Sequence, residues 1–386
     1  MAKKTYSLVV TPLTGVHIGT GEKLNPLDYK LVKSSSGAAN AKVVKDMYWK
    51  FSSDHILRRL IAGGANLTDF ERASVDGNMG ELRHFFHENC TVEDIDYLCD
   101  ITEEFKRQYS RNLQNDPGEN AAEVHQMYHP GGSKKPVIPG SSIKGSIRTG
   151  ILNFRLASLE DNEYNALPHE KKDAALQKKL LRYSDEKSDP FRCISLEDCA
   201  FQAKDTQLVG VLKNIRYNRH HQTLDGLEKL QIQAEVIRGK FLGGVYSAET
   251  AISIDADLQD VQFPESAQRR GSPANITPIS MQDLMEACNY FYLREFKKEY
   301  EHFYSESIEG TDLIVKLKQD LEEAVQGKNQ FIIRVGRWSQ VEFVTFEEEF
   351  RIPYNTKGSG GTRTVFDYNG QYVPMGWCSI TAKENV

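Results

Sequence analysis

Residues 137–156, VIPGSSIKGSIRTGILNFRL, are the stretch that decides how this 386-residue chain folds. A Pro-Gly turn precedes Ser141 and Ser142, and either serine is suited to cap a helix. Ile143 and Ile147 then begin an apolar repeat of four residues. The spacing predicts a helix with one buried face, starting at the serines.

The polar face of this predicted helix is basic. Lys144, Arg148 and Arg155 follow one another at spacings of four and seven residues. The free backbone N–H groups at a helix N-terminus also favour an anion. The stripe and the helix start together predict a site for phosphate groups.

Charge is sorted along the chain, although 48 basic and 54 acidic residues give a net charge of only −6. Three windows contain no Asp or Glu: residues 124–159, 206–224 and 351–366. Three other segments are rich in these acids: residues 88–104, 299–309 and 342–349. This sorting indicates one face for an anionic ligand and another for protein neighbours or water. Solvated helix faces are the alternative explanation.

Composition excludes several classes of protein. With 39% apolar, 26% charged and 10% aromatic residues, the chain is neither disordered nor fibrous. It has no apolar run long enough to span a membrane and no signal-like start, which predicts a cytoplasmic protein. Its six cysteines form no C-x-x-C pair, so they are expected to be reduced and structural.

No cofactor or metal is expected. The glycines of the loop at residues 15–21 match neither dinucleotide- nor ATP-binding spacing, but they let backbone approach a phosphate or sugar closely. His17 in that loop is suited either to general acid–base chemistry or to hydrogen bonding and stacking. His84 and His87 resemble half a metal site, yet an ordinary amphipathic helix face explains them.

The secondary-structure pattern is mixed α and β. Strand-like alternation and helical spacing succeed each other in an order that occurs about twice, which predicts two α+β units packed together. The main segments expected are a strand at 5–10, helices at 52–109, a loop at 112–135, strands at 207–217 and 227–237 joined by a cationic hairpin tip, helices at 280–304 and 311–325, and strands at 330–335 and 341–346.

These segments resemble the RAMP superfamily of CRISPR proteins. The resemblance is carried, in chain order, by LTGVHIGTGEKLNPLDY (13–29), VVKDMYWKF (43–51), IPGSSIKGSIRTGIL (138–152), FLGGVYSAETAISI (241–254), FIIRVGRWSQVEFVT (331–345) and VPMGWCSI (373–380). It spans residues 6–380, and the serine-lysine-arginine helix start is its most specific element. Within the superfamily, the sequence is most similar to the fifth subunit of the Csm complex, the type III-A CRISPR effector.

The resemblance implies a fold of two ferredoxin-like (RRM-type) domains with a helical insertion and a β-hairpin thumb. The implied bounds are 1–205 and 206–386 for the domains, 52–135 for the insertion and 213–232 for the thumb. It also implies a non-catalytic, RNA-binding subunit that caps the effector, holds the 3′ part of the CRISPR RNA and aids its maturation. The implied partners are this RNA, the repeated backbone subunit, the small helical subunit and host nucleases that trim the RNA.

Site residues follow from the resemblance by position and from the acid-free windows. They are the helix start (Ser141, Ser142, Lys144, Arg148), the groove lining (His17, Gly19, Gly21), the thumb (Arg216, Arg219, His220, His221), the C-terminal loop (Arg337, Trp338) and the third basic window (Lys357, Arg363). The family often has a second glycine in its C-terminal loop. This chain has only Gly336 before Arg337-Trp338, which questions a close backbone approach there.

Two other functions stay open on sequence alone. One is a metal-independent endoribonuclease with His17 as general base and Lys144 stabilising the developing charge. The other is a scaffold that makes no RNA contact. For Trp338, packing in the core at a strand end is as good an explanation as stacking on a base.

Overall fold

The fold combines two larger β-sheets with α-helices. The computed structural model describes residues 3–36, 43–115, 122–131, 133–160, 173–183, 186–202, 206–218, 223–225, 231–255, 279–304, 309–344, 346 and 362–384. The strands are β1 (Lys4–Pro12), β2 (Gly19–Leu24), β3 (Tyr29–Ser36), β4 (Val43–Phe51), β5 (Ile95–Ile101), β6 (Val124–Met127), β7 (Val137–Ile138), β8 (Ile194–Leu196), β9 (Cys199–Ala200), β10 (Gln207–Asn218), β11 (Thr223–Asp225), β12 (Gln231–Ile237), β13 (Ala248–Ile254), β14 (Gln330–Arg334), β15 (Arg363–Tyr368), β16 (Gln371–Pro374) and β17 (Trp377–Glu384). The α-helices are α1 (Ser53–Ala62), α2 (Thr68–Val75), α3 (Met79–Asn89), α4 (Glu103–Asn115), α5 (Gly140–Ala157), α6 (Asp173–Leu181), α7 (Met281–Phe303) and α8 (Asp312–Gln326).

The first sheet has five antiparallel strands in the order β14-β17-β1-β13-β8. Strand β1 lies at its centre, and its sequence alternates so that Leu8 and Val10 are fully buried. Val10 lies opposite Ala248 on β13 and Ile380 on β17. The two ends of the chain therefore meet in one sheet.

Helices α5 and α7 pack against each other and against β14. Ile143 and Ile147 are buried, as the repeat of four residues predicts. The close approach of the helices depends on Gly150, because a Cβ there would lie only 3.1 Å from Cys288 Sγ. The hydroxyl of Tyr292 on α7 also donates to the Ser146 carbonyl oxygen at 3.0 Å. The quoted stretch thus forms the central helix of the core.

The second sheet is mixed and runs β2-β6-β12-β10-β5-β4-β3, with β11 and β15 also pairing with β10, and β16 with β15. The pairs β10–β5 and β12–β6 are parallel. An aromatic core lies against it, in which the Tyr29 and Tyr48 rings stack at 4.7 Å and Phe105 of α4 packs on them. The predicted α+β class is confirmed.

Three predicted segments are wrong. Residues 95–101 form strand β5 and not a helix, because IDYLCDI buries alternate residues, Tyr97 and Cys99. The predicted loop at 112–135 contains β6, which pairs with β12. The predicted strand at 341–346 contains a 3-10 turn at Val341–Phe343. Short apolar runs fit helix and strand spacing equally well, so pairing partners decide them.

The predicted hairpin forms, and the domain boundary stays a prediction. Strand β10 pairs with β12 from Gln207↔Ile237 to Lys213↔Gln231, and its end pairs with β11. Within the predicted tip and thumb, residues 219–222 and 226–230 lie outside the described residues. Each of the two larger sheets contains strands from both sides of residue 205.

Candidate functional site

The segment after β1 carries His17 from the first sheet to the second. The backbone N–H of Leu13 donates to the Trp377 carbonyl oxygen at 2.8 Å, which fixes the segment on β17. Two residues beyond Thr14, Val16 exchanges backbone hydrogen bonds with Ile237 at the end of β12, at 3.0 and 2.8 Å. His17 is therefore placed where the sheets meet.

His17 is fully buried and its two ring nitrogens differ. Nδ1 lies 2.6 Å from the carbonyl oxygen of Glu235, which only accepts, so Nδ1 carries the proton. Nε2 has no hydrogen-bonding partner among the described residues. Burial lowers the pKa of His17 to about 4, so the ring is neutral at pH 7.

The loop after β14 closes over His17. Gly336 has a φ of 91°, and a Cβ there would lie 2.5 Å from the His17 carbonyl oxygen. The N–H of Arg337 donates to the same oxygen at 2.8 Å. Trp338, at a φ of 65°, sets its ring 4.7 Å from the His17 ring. Gly336 thus brings the loop backbone against His17, and the expectation that the missing second glycine limits close approach to RNA stays a prediction.

Strand β6 adds a second histidine that the sequence did not single out. His125 Nδ1 lies 3.3 Å from the NH1 group of Arg337, and its ring is edge-on to Trp338 at 5.8 Å. Burial, then the charges of Arg337 and Lys23, lower the pKa of His125. The available signal was its place in the acid-free window 124–159.

We name His17, His125, Arg337 and Trp338 the aromatic–cation cluster. Its cation is exposed, lies over the Trp338 ring at 5.1 Å, and contacts a neutral imidazole in place of a carboxylate. Gly19, exposed on the neighbouring strand, offers no side chain to obstruct access. Aromatic rings with an adjacent arginine are suited to stacking on bases and contacting phosphate.

Gly19 and Gly21 are both on β2, next to β6. Gly19 pairs with Met127, and Lys23 with His125, which brings β2 beside the cluster. Gly21 has a φ of 90° and is exposed, with no atom within 4 Å of where its Cβ would be. The structure thus brings His17, Gly19, Arg337 and Trp338 together, and their role in RNA binding stays a prediction.

The start of α5 differs from its prediction. The helix begins at Gly140, its N-cap is Pro139, and no side chain caps it, so the expected serine cap is wrong. Ser141 is exposed in the first turn and Ser142 is half-buried. The Gly140 N–H donates to the Asp198 carboxylate at 2.8 Å, which already provides an anion at this N-terminus.

The two cations of this helix contact groups of the chain itself. Lys144 Nζ donates to the Ile194 carbonyl oxygen at 2.6 Å, and burial lowers the pKa of this lysine. Arg148 forms an ion pair with Asp189 at 2.9 Å and donates to Gln177 and to the Tyr183 hydroxyl. Their RNA-binding role stays a prediction, and these contacts show a structural one.

Arg363 is not on a surface. It is 3% exposed, its Nε lies 2.8 Å from Glu299 Oε1 and its NH2 group 3.0 Å from Glu342 Oε1. The other oxygen of Glu299 pairs with Arg334 at 2.8 Å. We name Arg334, Glu299, Arg363 and Glu342 the buried charge network. It joins the third basic window to two acidic segments that the sequence predicts on a different face, because opposite charges pair when buried.

The remaining predicted residues belong to the hairpin and the last window. Arg216 is exposed near the end of β10 and lies opposite Asp225 of β11. Arg219, His220, His221 and Lys357 lie outside the described residues.

Metal and membrane features can be reported for the described ranges only. There, no group of three or more His, Cys, Asp or Glu is arranged to hold a metal ion. His84 pairs with Glu88 at 3.1 Å, and His87 Nε2 lies 2.9 Å from the Pro26 carbonyl oxygen. No described helix is long and apolar enough to cross a membrane.

A family model and two solved structures are similar to this chain. A family model described as the RAMP superfamily matches residues 9–350. No curated protein is significantly similar to the chain in sequence. A chain of the cryo-EM structure of a Csm-crRNA-target RNA ternary complex in a type III-A CRISPR-Cas system is similar in structure, with a TM-score of 0.61 and 18% identity, covering 99% of this chain and 100% of that one.

A second solved structure, the crystal structure of T. onnurineus Csm5, is similar with a TM-score of 0.54 and 16% identity over 97% of this chain and 99% of that one. At such identities the likeness concerns the fold. The expected architecture of paired ferredoxin-like units is thereby confirmed.

Proposed function

The chain belongs to the RAMP superfamily, and from that premise we propose that it is an RNA-binding subunit that caps a type III-A CRISPR (Csm) effector. In this role it holds the 3′ part of the CRISPR RNA and aids RNA maturation without cutting it. Its partners are this RNA, the repeated backbone subunit, the small helical subunit and nucleases that trim the RNA. We also propose a cytoplasmic location.

The observation that carries the proposal is the aromatic–cation cluster. Trp338 provides a ring, and Arg337 a cation contacted by a neutral histidine, at the junction of the two sheets. Lys144, Arg148 and Arg363, in contrast, contact oxygen atoms of the chain itself. A surface of this kind holds a strand by its phosphates and by stacking, without reading base edges.

The net charge of −6 is compatible with this role. A subunit that meets RNA over one small surface and proteins over the others does not need to be basic overall. Local charge matters more, and in the cluster the pKa of both histidines is lowered by burial and by Arg337. The exposed charge of Arg337 contributes to both shifts, and such a cation favours a phosphate.

The endoribonuclease alternative receives less support. A general base works best when its pKa is near the working pH. The pKa of His17 is lowered to about 4 by burial, which makes it a weak base. The other residue of that hypothesis, Lys144, donates to the Ile194 carbonyl oxygen.

RNA binding is tested by filter retention of a 3′-labelled guide RNA over a salt series. We expect Arg337→Glu to weaken binding about tenfold and to reduce the salt slope by about 1, because a phosphate contact is lost. Arg58→Glu is the matched control, because Arg58 is exposed on α1 and the charge change is the same. Equal losses in both variants would contradict a specific contact at the cluster.

The capping role needs a second measurement. The chain is mixed with the CRISPR RNA and the other subunits, and its incorporation is followed by size exclusion. We expect wild type and Arg58→Glu to enter the complex with intact RNA, and Arg337→Glu to enter less. Failure of the wild-type chain to enter would overturn the proposal, and discrete RNA products lost in His17→Ala would favour the nuclease.

A further inference from the structure

We propose that His17 Nε2 accepts a hydrogen bond from a ribose 2′-hydroxyl of the bound strand, which makes the site selective for RNA over DNA. This inference rests on the proposed function and concerns the same surface. It assigns His17 a recognition role in place of a catalytic one.

The first step of the argument is the protonation of the ring. The Glu235 carbonyl oxygen, 2.6 Å from Nδ1, has no proton to give, so Nδ1 must donate. A neutral imidazole has one proton, and Nε2 is therefore left with a lone pair. The pKa of His17, lowered to about 4, keeps it in this state at neutral pH. Nε2 can accept and cannot donate.

The second step is the isolation of Nε2 within the protein. No described residue offers it a hydrogen bond, although His17 is fully buried. Buried polar atoms are nearly always paired, and an unpaired acceptor is unfavourable. A donor brought by a ligand would satisfy this atom.

The third step is access. Gly19 is exposed, and a Cβ there would lie 3.0 Å from Nε2, so any larger residue would obstruct the atom. Besides the His17 ring, the nearest atom to that position is Arg337 Cδ, at 3.9 Å. Nε2 is itself buried, so a ligand hydroxyl reaches it by displacing the side-chain-free backbone at Gly19, next to the arginine and the Trp338 ring.

The fourth step is the choice of donor. An RNA strand carries two kinds of donor, the ribose 2′-hydroxyl and the base donors, which are the amino groups and the ring N–H groups of guanine and uracil. The hydroxyl is present on every ribonucleotide and lies near the phosphates, which fits a site built from a cation and stacking rings. A base donor would depend on the identity of the base, and the experiment separates the two.

The test uses the full chain and three strands of one sequence: RNA, DNA and 2′-fluoro RNA, whose fluorine cannot donate. We expect wild type to bind RNA about tenfold more tightly than the other two, the effect of one hydrogen bond. His17→Asn keeps an N–H for the Glu235 carbonyl and removes Nε2. This variant should reduce the ratio of RNA affinity to DNA affinity to about 1–2. Gly19→Ala should do the same, because its methyl group obstructs Nε2.

The control is His87→Asn. His87 is a half-buried histidine whose pKa is also lowered to about 4, and it contacts the Pro26 and Tyr29 carbonyl oxygens. The His87→Asn variant should leave the ratio of RNA affinity to DNA affinity unchanged. Thermal unfolding checks that each variant is folded.

The outcomes separate the two proposals. If wild type binds no RNA, the proposed function fails. If it binds RNA and DNA equally, or if folded His17→Asn keeps the ratio, only this inference fails. Equal binding of RNA and 2′-fluoro RNA, which carry the same base donors, would also overturn it, because the donor would then be a base.

Discussion

Two groups of charged and aromatic side chains share one short segment, residues 334–342, and differ in whether their arginines are paired with carboxylates. In the buried charge network, two arginines and two glutamates cancel one another with contacts of 2.8–3.0 Å. In the aromatic–cation cluster, Arg337 is exposed and contacts the neutral ring of His125. Only two residues, Val335 and Gly336, separate Arg334 from Arg337 along the chain.

The difference shows that residue type alone does not give an arginine its role. Arg334 is fully buried between the Phe343 and Trp377 rings, at 4.3 and 5.2 Å, and its charge must be paired because it is out of water. Arg337 keeps its hydration and remains available to a ligand. The network holds both ends of the segment, and the cluster lies on the loop between them.

The largest effect is expected when the network is broken. Glu299→Gln removes the carboxylate shared by Arg334 and Arg363, leaving excess positive charge in the core. We expect it to lower the free energy of unfolding by about 3–5 kcal/mol, measured by urea denaturation. Glu301→Gln on the exposed side of the same helix is the control and should change it by less than about 0.5 kcal/mol. Similar values for the two would show that the network is not stabilising.

Acidification tests the neutral histidines. The pKa values of His17, His87 and His129 are lowered to about 4 in the folded chain. Below pH 6.5 these histidines therefore bind protons in the unfolded chain but not in the folded one, which lowers stability as the pH falls. Glu235 opposes this, because its pKa is raised to about 7 and the folded chain holds its proton longer. Three histidines outweigh one glutamate, and stability should fall by about 3 kcal/mol from pH 7 to pH 5.

This pH dependence is checked by urea denaturation at a series of pH values. The double variant His87→Asn/His129→Asn removes two of the three histidines, and its slope should be much flatter. An unchanged slope in that variant would show that carboxylates, and not histidines, control the acid response.

Removing the ring of the cluster should affect binding more than folding. Trp338→Ala loses a stacking surface, which is worth about 1–3 kcal/mol per base in RNA affinity. Trp49→Ala is the matched control, because Trp49 on β4 is also half-buried and lies under a cation, Lys30 of β3. Filter binding should separate the two variants. If both lose affinity equally, or neither does, the cluster is not a stacking site.

The central helix and several long elements were predictable from the sequence. The repeat of Ile143 and Ile147 gave the buried face of α5, and the long patterns at 280–304 and 311–325 correspond to α7 and α8. Strand β5 was missed because Ile95, Leu98 and Ile101 also fit helical spacing within its seven residues. Its strand partners, β4 and β10, are distant in sequence.

The candidate site was predictable only in part. The glycine loop and Arg337-Trp338 could be proposed from a likeness, but His125 was one of many residues in an acid-free window. Sequence also could not tell Arg363, which is paired in the core, from Arg337, which is exposed. That distinction depends on which acids lie nearby after folding, and windows of charge along a chain do not contain it.

The smallest expected effect decides how the basic stripe of α5 is to be interpreted. Arg148 is about one-fifth exposed, pairs with Asp189 and lies over the Phe191 ring at 4.9 Å. Arg148→Gln should therefore cost about 1 kcal/mol of stability, measured by urea denaturation, and leave the RNA affinity of the folded protein unchanged. A variant that is as stable as wild type but binds RNA several-fold more weakly would return Arg148 to the interface, and Arg337 would then no longer differ from it in role.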